Sequence, residues 1–517
     1  MGVACVASRA QLGLSAPRVA VEVHLGGGLP NFSIVGLPAT AVKESKDRVR
    51  AALANSGFDF PAGRITVNLS PADLPKEGCR YDLPIALGIL LASSQISVPP
   101  EILSGCEFYG ELGLAGELRP IRGVLLAAAH AVRESRSIVV PSANATEARF
   151  AAPRSTCAAA TLLGVCELAR SGVRAELMDE ADAPQFAASS RELDLADVRG
   201  QAAAKRALVI AAAGGHSLLF VGPPGAGKSM LSQRLPGLLP PLAGDEALDV
   251  ASIASVSTRG FTPTDYARRP FRAPHHTASA SAIIGGGPQA RPGEVSLAHR
   301  GVLFLDELPE FNRSVLESLR EPLESGVVAI SRTARQVEYP ARFQLVAAMN
   351  PCPCGYLGEP SANCRCAPPE IARYRARISG PLLDRIDLRV AVPAVSSEEL
   401  LEENAPDSMT SAEAAALVRG ARQRQMDRAS KLNCELAGKE IQKFCRIDRA
   451  GRRLLAGARE KLALSARGVH RVLRVARTIA DLDAAKAESH GANGGDAECS
   501  IAMAHLAEAL QLRRAID

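Results

Sequence analysis

The sequence predicts an α/β protein in three parts: an amino-terminal α+β domain over residues 1–170, a central P-loop α/β domain over 193–393, and a carboxyl-terminal helical lid over 394–517. Residues 171–192 form the expected linker. Three observations carry this division. At 517 residues the chain is too long for one core, and about 100 to 200 residues per domain gives about three. A strand, a glycine-rich loop and a helix-forming stretch meet at "SLLFVGPPGAGKSMLSQRL", from Ser217 to Leu235. Beyond Pro393 the strand-rich pattern gives way to an Ala/Arg/Leu-rich remainder with apolar residues three and four apart, the period of a helix face.

Before residue 170, short strand-like runs alternate with Ala-rich helical stretches, and "HLGGGLP", His24 to Pro30, reads as a turn. The following stretch, "DEADAPQFAASS", is acidic and contains Pro and Ser, the composition of a joint between domains. The central domain then opens at "DLADVRGQ", Asp194 to Gln201.

Gly222 to Ser229, "GPPGAGKS", fits G-x-x-x-x-G-K-[ST] at every fixed position. In such a loop Gly222, Pro223, Pro224, Gly225, Ala226 and Gly227 form a cradle whose backbone N–H groups surround phosphate oxygens. Lys228 reaches the outer phosphates and the Ser229 hydroxyl ligates Mg²⁺, so the pattern predicts ATP and Mg²⁺ as cofactors. The apolar strand "GVLFL" delivers Asp306 and Glu307 at its carboxyl end, where parallel sheets present ligand-binding groups. Asp306 suits a Mg²⁺ ligand, and Glu307 suits polarising the attacking water. A further strand, "FQLVAAMNP", ends in Asn350, a polar group for orienting the same water. Arg385, in "SGPLLDRIDL", has two readings on spacing alone: a finger that neutralises charge on a neighbouring subunit's γ-phosphate, or a surface ion pair.

Two segments suit a substrate grip. Gly285-Gly286-Gly287 is too flexible for a helix interior and fits a hairpin tip or loop. "SGVVAISRTARQVEYPARFQLV", Ser325 to Val346, reads as two β-rich runs joined by a basic turn with Arg332 and Arg335. Guanidinium groups there pair with phosphates regardless of base sequence, although they also suit salt bridges between subunits. Aromatic residues make up only 4% with no Trp, which disfavours base-stacking platforms. Cys352, Cys354, Cys364 and Cys366 form C-x-C, nine residues, C-x-C in a Pro/Gly-rich loop. Four thiolates suit a closed, structural Zn²⁺ site, with free thiols the alternative.

Charge and hydropathy bound the setting. The net charge is +5, but from Arg419 to Arg477 there are 17 Lys and Arg against 5 Asp and Glu. That imbalance suits a polyanion partner and equally a solvated helical face. No apolar run approaches the ~18 residues of a membrane span, and the first residues lack a signal-peptide layout, so a cytoplasmic protein without membrane contact is expected. In that setting the 12 cysteines are expected reduced, buried or metal-bound.

Together "GPPGAGKS", "GVLFLDE", "VAAMNPCPCG", "RISGPLLDRIDL" and the long run from Phe271 to Phe311 resemble the AAA+ ATPases of the Mg-chelatase-like group, specifically the ComM/YifB family, over nearly the whole chain. The resemblance implies a hexameric ring ATPase, in known members a DNA helicase that promotes branch migration during natural transformation. Its DNA partner would be forked or single-stranded and read without sequence preference. It makes Asn350 sensor 1, Arg385 the arginine finger and Arg467 sensor 2 at the start of a lid helix, with Arg471 and Arg474 nearby. It places the segment around Gly285 to Gly287 and the hairpin bearing Arg332 and Arg335 in a central pore.

The amino-terminal order is similar to the proteolytic domain of Lon. Where Lon carries its nucleophile this chain has Lys76-Glu77-Gly78-Cys79-Arg80-Tyr81-Asp82, with Arg80 at the serine's place and Leu125 at the lysine's. A dyad needs a hydroxyl and an amine that share a proton, so the domain is expected to be catalytically inactive. Cys79 sits one residue off and has no evident base. A second functional reading is a motor subunit of a metal-chelatase or other protein-remodelling complex.

Overall fold

A computed structural model describes residues 2–172, 193–287, 290–332, 335–359, 364–395, 409–462, 464–489 and 500–513. Most of the expected linker, and the polar stretch 396–408 that opens the carboxyl-terminal part, lie outside the described residues.

The amino-terminal part holds a four-stranded sheet in the order Gly2–Arg9, Arg18–Gly26, Arg64–Ser70, Asn31–Val35; the first two pairings are antiparallel and the last parallel. Alternating Val and Ile on these strands bury one face. The helix Asp82–Ala92 covers it, with all but Leu91 of its eleven residues buried. Gly88 makes the close approach possible, because a Cβ there would lie 2.5 Å from a Val23 methyl. A second, parallel sheet of Cys106–Phe108, Ser137–Pro141 and Thr156–Ala159 follows. The two sheets are tied by a buried ion pair: Arg9 Nε donates to Glu107 Oε2 at 2.8 Å, and the Tyr109 hydroxyl donates to the same oxygen at 2.5 Å.

The central part is a five-stranded, all-parallel sheet in the order Phe271–Arg272, Val302–Leu305, Gln344–Met349, Leu218–Val221, Leu388–Ala391. Apart from Gln344, its inner strands are apolar runs, and every residue of them is buried, as a sheet covered on both faces requires. Between the outermost strand and Val302–Leu305 lie the short helix Ala280–Ile284 and a small antiparallel pair, Gly285–Gly286 with Arg291–Pro292. The expected basic hairpin forms from Val327–Arg332 and Arg335–Pro340, with Arg332 opposite Arg335 in register.

The carboxyl-terminal part is helical, chiefly Ser411–Ala429, Arg449–Lys461, Ala466–Ser489 and Met503–Gln511. Thr410 and Glu413 form a capping box that starts the first of these. Val418, Ala421, Val472, Val475 and Ile479 share one apolar core with the central helix Ala202–Gly214 and with Val346 and Ala348 of the sheet. Lid and sheet are therefore packed as one body.

The amino-terminal domain also touches the central one directly. The Ser255 hydroxyl donates to Glu147 Oε1 at 2.5 Å, and Phe150 stacks on Tyr266 with ring centroids 4.4 Å apart. Gly13 lies so close to Val337 of the basic hairpin that a Cβ would meet its methyl at 2.3 Å.

Candidate nucleotide site and its two halves

The carboxyl ends of three neighbouring strands build the site. Leu218–Val221 runs into the glycine loop, whose Gly225 and Gly227 have φ of 79° and 88° and would meet nothing within 4 Å with a Cβ. That open, left-handed backbone is a cradle for an anion at the start of the helix Lys228–Leu238. The Lys228 ammonium is buried and donates to the carbonyls of Gly222 and Pro223 at 2.7 and 2.8 Å and to Asn350 Oδ1 at 3.1 Å. Burial pulls its pKa below the ordinary lysine value, with Asp306 and Glu307 opposing. A phosphate is the charge that this desolvated ammonium lacks.

The Ser229 hydroxyl donates to Asp306 Oδ2 at 2.7 Å, so the two oxygens expected to hold Mg²⁺ already meet. Glu307 follows in a left-handed conformation, φ 51°, which costs a non-glycine residue energy and marks functional sites. Its carboxylate is 55% exposed and faces His276 Nδ1 at 3.3 Å. His276 in turn stacks against His275 and meets Phe311 edge-on. The structure thus brings together Lys228, Ser229, Asp306, Glu307 and Asn350. The "PHHT" doublet, two adjacent imidazoles ahead of Gly285 to Gly287, was the sequence signal for His276.

Arg385 and Arg467 lie elsewhere. Arg385 follows the helix Gly380–Leu383, and its carbonyl accepts from Ser217 Oγ at 2.8 Å, at the amino end of the strand whose carboxyl end feeds the P-loop. Four residues of strand, about 13 Å, separate those ends, more than an arginine side chain spans. Asp387 anchors this corner. Burial alone would raise its pKa, but His216 and Arg471 hold it well below the usual carboxylate range. Arg471 Nη1 donates to both Asp387 Oδ1 and the Arg385 carbonyl, which fastens the first turns of the lid helix here.

In this structure Arg385 makes an ion pair, one of the two readings that its spacing left open. Its side chain is only 9% exposed, because Nη2 pairs with Glu324 Oε1 at 2.5 Å and Nη1 donates to the Pro381 carbonyl at 2.7 Å. Arg467, 73% exposed, reaches the same Glu324 oxygen at 3.3 Å. Glu324 had no signal in the sequence, since "EPLES" reads as an ordinary acidic turn.

The basic carboxyl-terminal segment also divides. Arg422 donates to the Ala212 carbonyl, and Arg428 and Arg477 pair with the buried Asp481. Those charges hold the lid together. Lys443, Arg446, Arg449, Arg452, Arg453, Arg459 and Lys461 are instead exposed, and among the described residues none has a carboxylate at ion-pair distance.

In the cysteine loop, Cys352 Sγ lies 3.3 Å from Cys354 and 3.6 Å from Cys364, Cys354 lies 3.5 Å from Cys364, and all four sulfurs including Cys366 fall within 4.8 Å. A Zn²⁺ tetrahedron with ~2.3 Å bonds needs sulfurs about 3.8 Å apart. The set fits. Residues 360–363 of the loop lie outside the described residues. Gly355 packs the loop against the nucleotide site, a Cβ there lying 2.7 Å from Pro224.

In the amino-terminal domain Arg80 is buried and donates to Gln11 Oε1 and the Arg122 carbonyl, both at 2.8 Å, while Leu125 is fully buried. Burial raises the Cys79 thiol to about 11, away from a nucleophilic thiolate.

Three family profiles match: "Magnesium chelatase, subunit ChlI" over residues 194–400, "Subunit ChlI of Mg-chelatase" over 21–144, and "Magnesium chelatase, subunit ChlI C-terminal" over 408–513. The competence protein ComM of Haemophilus influenzae is 48% identical across 99% of this chain and 98% of its own length. The chain belongs to the ComM/YifB family. YifB of Salmonella typhimurium is 46% identical, covering 100% of this chain and 98% of that protein. The 38 kDa magnesium-chelatase subunit of Cereibacter sphaeroides is 28% identical over 29% of this chain and 51% of its own. The parallel sheet, its P-loop and the helical lid are the Mg-chelatase-like AAA+ fold of this family, which binds ATP with Mg²⁺. No helix among the described residues is long and apolar enough to cross a membrane.

Proposed function

We propose that this chain is a ring-forming ATPase that translocates on DNA and promotes branch migration in recombination or natural transformation, in the cytoplasm. The observation that carries the ring is the separation of Arg385 from Lys228 by the length of the strand Leu218–Val221. One chain holds a nucleotide at one end and presents arginines at the other, so a neighbour completes each site, and six copies close the ring.

ATP with Mg²⁺ supplies the phosphoryl group and the charge neutralisation. Lys228 and the glycine loop bind the phosphates, Ser229 and Asp306 hold the metal, and Glu307 with Asn350 orients and polarises water. Arg385 and Arg467 offset the charge that develops on the neighbour's γ-phosphate. The exposed cations from Lys443 to Lys461 support a polyanion partner, and the name of the ComM relative supports DNA in competence. Arg332 and Arg335, at the end of the central hairpin, are proposed to follow the backbone through the pore. Cys352, Cys354, Cys364 and Cys366 are proposed to hold structural Zn²⁺, which would fix the loop between Asn350 and Arg385.

The chelatase resemblance favours a second reading, a motor subunit acting on a protein partner. One experiment separates them: ATP hydrolysis and fork branch migration by the wild type and Glu307→Gln, with forked DNA, single-stranded DNA or none. DNA-stimulated hydrolysis with fork movement, both lost in the variant, supports the DNA motor. Hydrolysis indifferent to DNA, without fork movement by assembled rings, rejects it.

A further inference from the structure

Glu324 is the residue whose placement the reading above leaves unexplained. It lies in the short helix Pro322–Ser325, three residues before the hairpin strand Val327–Arg332, and is itself about half exposed. A single oxygen, Oε1, accepts from two guanidinium groups that come from different parts of the chain, Arg385 of the central domain and Arg467 of the lid. One carboxylate facing two arginines leaves the cluster with an excess positive charge. The arrangement is also unfinished. Among the described residues Arg385 Nε is buried with no hydrogen-bond partner, a donor that costs free energy to leave unused.

Two guanidinium groups converging on one anionic oxygen, with a spare buried donor beside them, form a receptor for a group with more charge and more acceptor oxygens than a carboxylate. A terminal phosphate has both. We propose that Glu324 is an internal stand-in for the neighbouring subunit's nucleotide phosphate: it occupies Arg385 and Arg467 in the unassembled chain and is displaced when the ring closes. This rests on the ring reading. Glu324 holds no substrate; it sets how much neighbour and nucleotide are needed before the arginines change partner. Because Glu324 lies just before the basic hairpin, its contact with the arginines ties them to that hairpin and its release frees the hairpin from them.

The test measures hydrolysis of saturating Mg-ATP against protein concentration. Glu324→Gln keeps the shape but removes the competing charge. The concentration at half-maximal hydrolysis should fall about two- to tenfold, the effect expected of losing two partly exposed ion pairs. Glu324→Asp, which keeps the charge, should restore a wild-type curve. Glu324→Ser provides the same comparison if the glutamine variant melts early. In parallel, Arg385→Ala is mixed with Lys228→Ala, two inactive proteins whose mixed rings contain intact interfaces. Regained hydrolysis together with a left-shifted Glu324→Gln curve supports the proposal. Regained hydrolysis with an unshifted or right-shifted curve overturns it and leaves the ring reading standing. No regained hydrolysis in rings shown to be mixed overturns the ring reading and the proposal with it.

Discussion

Asp387 offers the most exacting test of how the arginine corner is held. Its carboxylate is 5% exposed, receives the Arg471 guanidinium at 2.5 Å and the Ser217 amide at 3.2 Å, and faces His216 Nδ1 at 3.4 Å. In Asp387→Ala, Arg471 loses its counter-charge, His216 its carboxylate neighbour and Ser217 an acceptor. Removing one partner of a buried pair costs about 3–5 kcal/mol. Lid and sheet share one core, so the loss should appear in the main unfolding transition. At about 2 °C per kcal/mol for a unit of this size, Tm should fall by about 6–10 °C. Scanning calorimetry at neutral pH reads it directly. The pH dependence has a definite sign. Because the folded pKa is depressed, the stabilisation is complete above the unfolded value near 4 and is lost as pH falls from there toward the folded value. The gap between wild type and variant should therefore be constant from pH 5 to 8 and close in stronger acid. A Tm change below about 2 °C at neutral pH would refute the view that this carboxylate fastens the lid to the sheet.

Other expectations concern the site itself. Glu307→Gln should bind a fluorescent ATP analogue normally while hydrolysing ATP about 10²- to 10⁴-fold more slowly, the usual loss for a general base. Cys364→Ser should reduce protein-bound zinc, measured by plasma emission, from near one per chain toward none, and lower the affinity for nucleotide because the loop braces Pro224 through Gly355. Substituting both Arg332 and Arg335 by Ala should weaken DNA binding equally for unrelated sequences and reduce the salt slope by about 2, read by fluorescence anisotropy across a salt series.

What the sequence could announce was governed by locality. The P-loop, Asp306 and Asn350 each end an apolar strand, and a strand that ends in a polar group leaves its mark within ten residues. The basic hairpin was equally legible, because two β-rich runs around Arg332 and Arg335 leave few other geometries. Arg385 was found by position, but its partner was not. Glu324 is separated from Arg385 by 61 positions and from Arg467 by 143, and nothing in a helix period or a turn signal connects residues across three elements. The basic segment from Arg419 to Arg477 shows the same limit. Counting charges could not separate Arg428 and Arg477, neutralised by Asp481, from Arg452 and Arg453, which face solvent.

That division bears on what the lid does. A helix that pins Arg471 to Asp387 with its first turns and buries Val472, Val475 and Ile479 against the sheet cannot swing independently of Arg467. Any motion of the lid must carry Arg467, and through Asp387 the backbone of Arg385, as a unit. In the proposed ring, a nucleotide held at one subunit's P-loop would report to the next through this block of lid and sheet rather than through a loose side chain. The exposed cations from Lys443 to Lys461 ride on that block as well, so a polyanion bound there and a nucleotide bound next door act on the same body. Under the proposed ring and DNA partner, coupling would require no long relay: a displacement of the lid by either ligand would change how far Arg385 and Arg467 stand from a neighbour's phosphate.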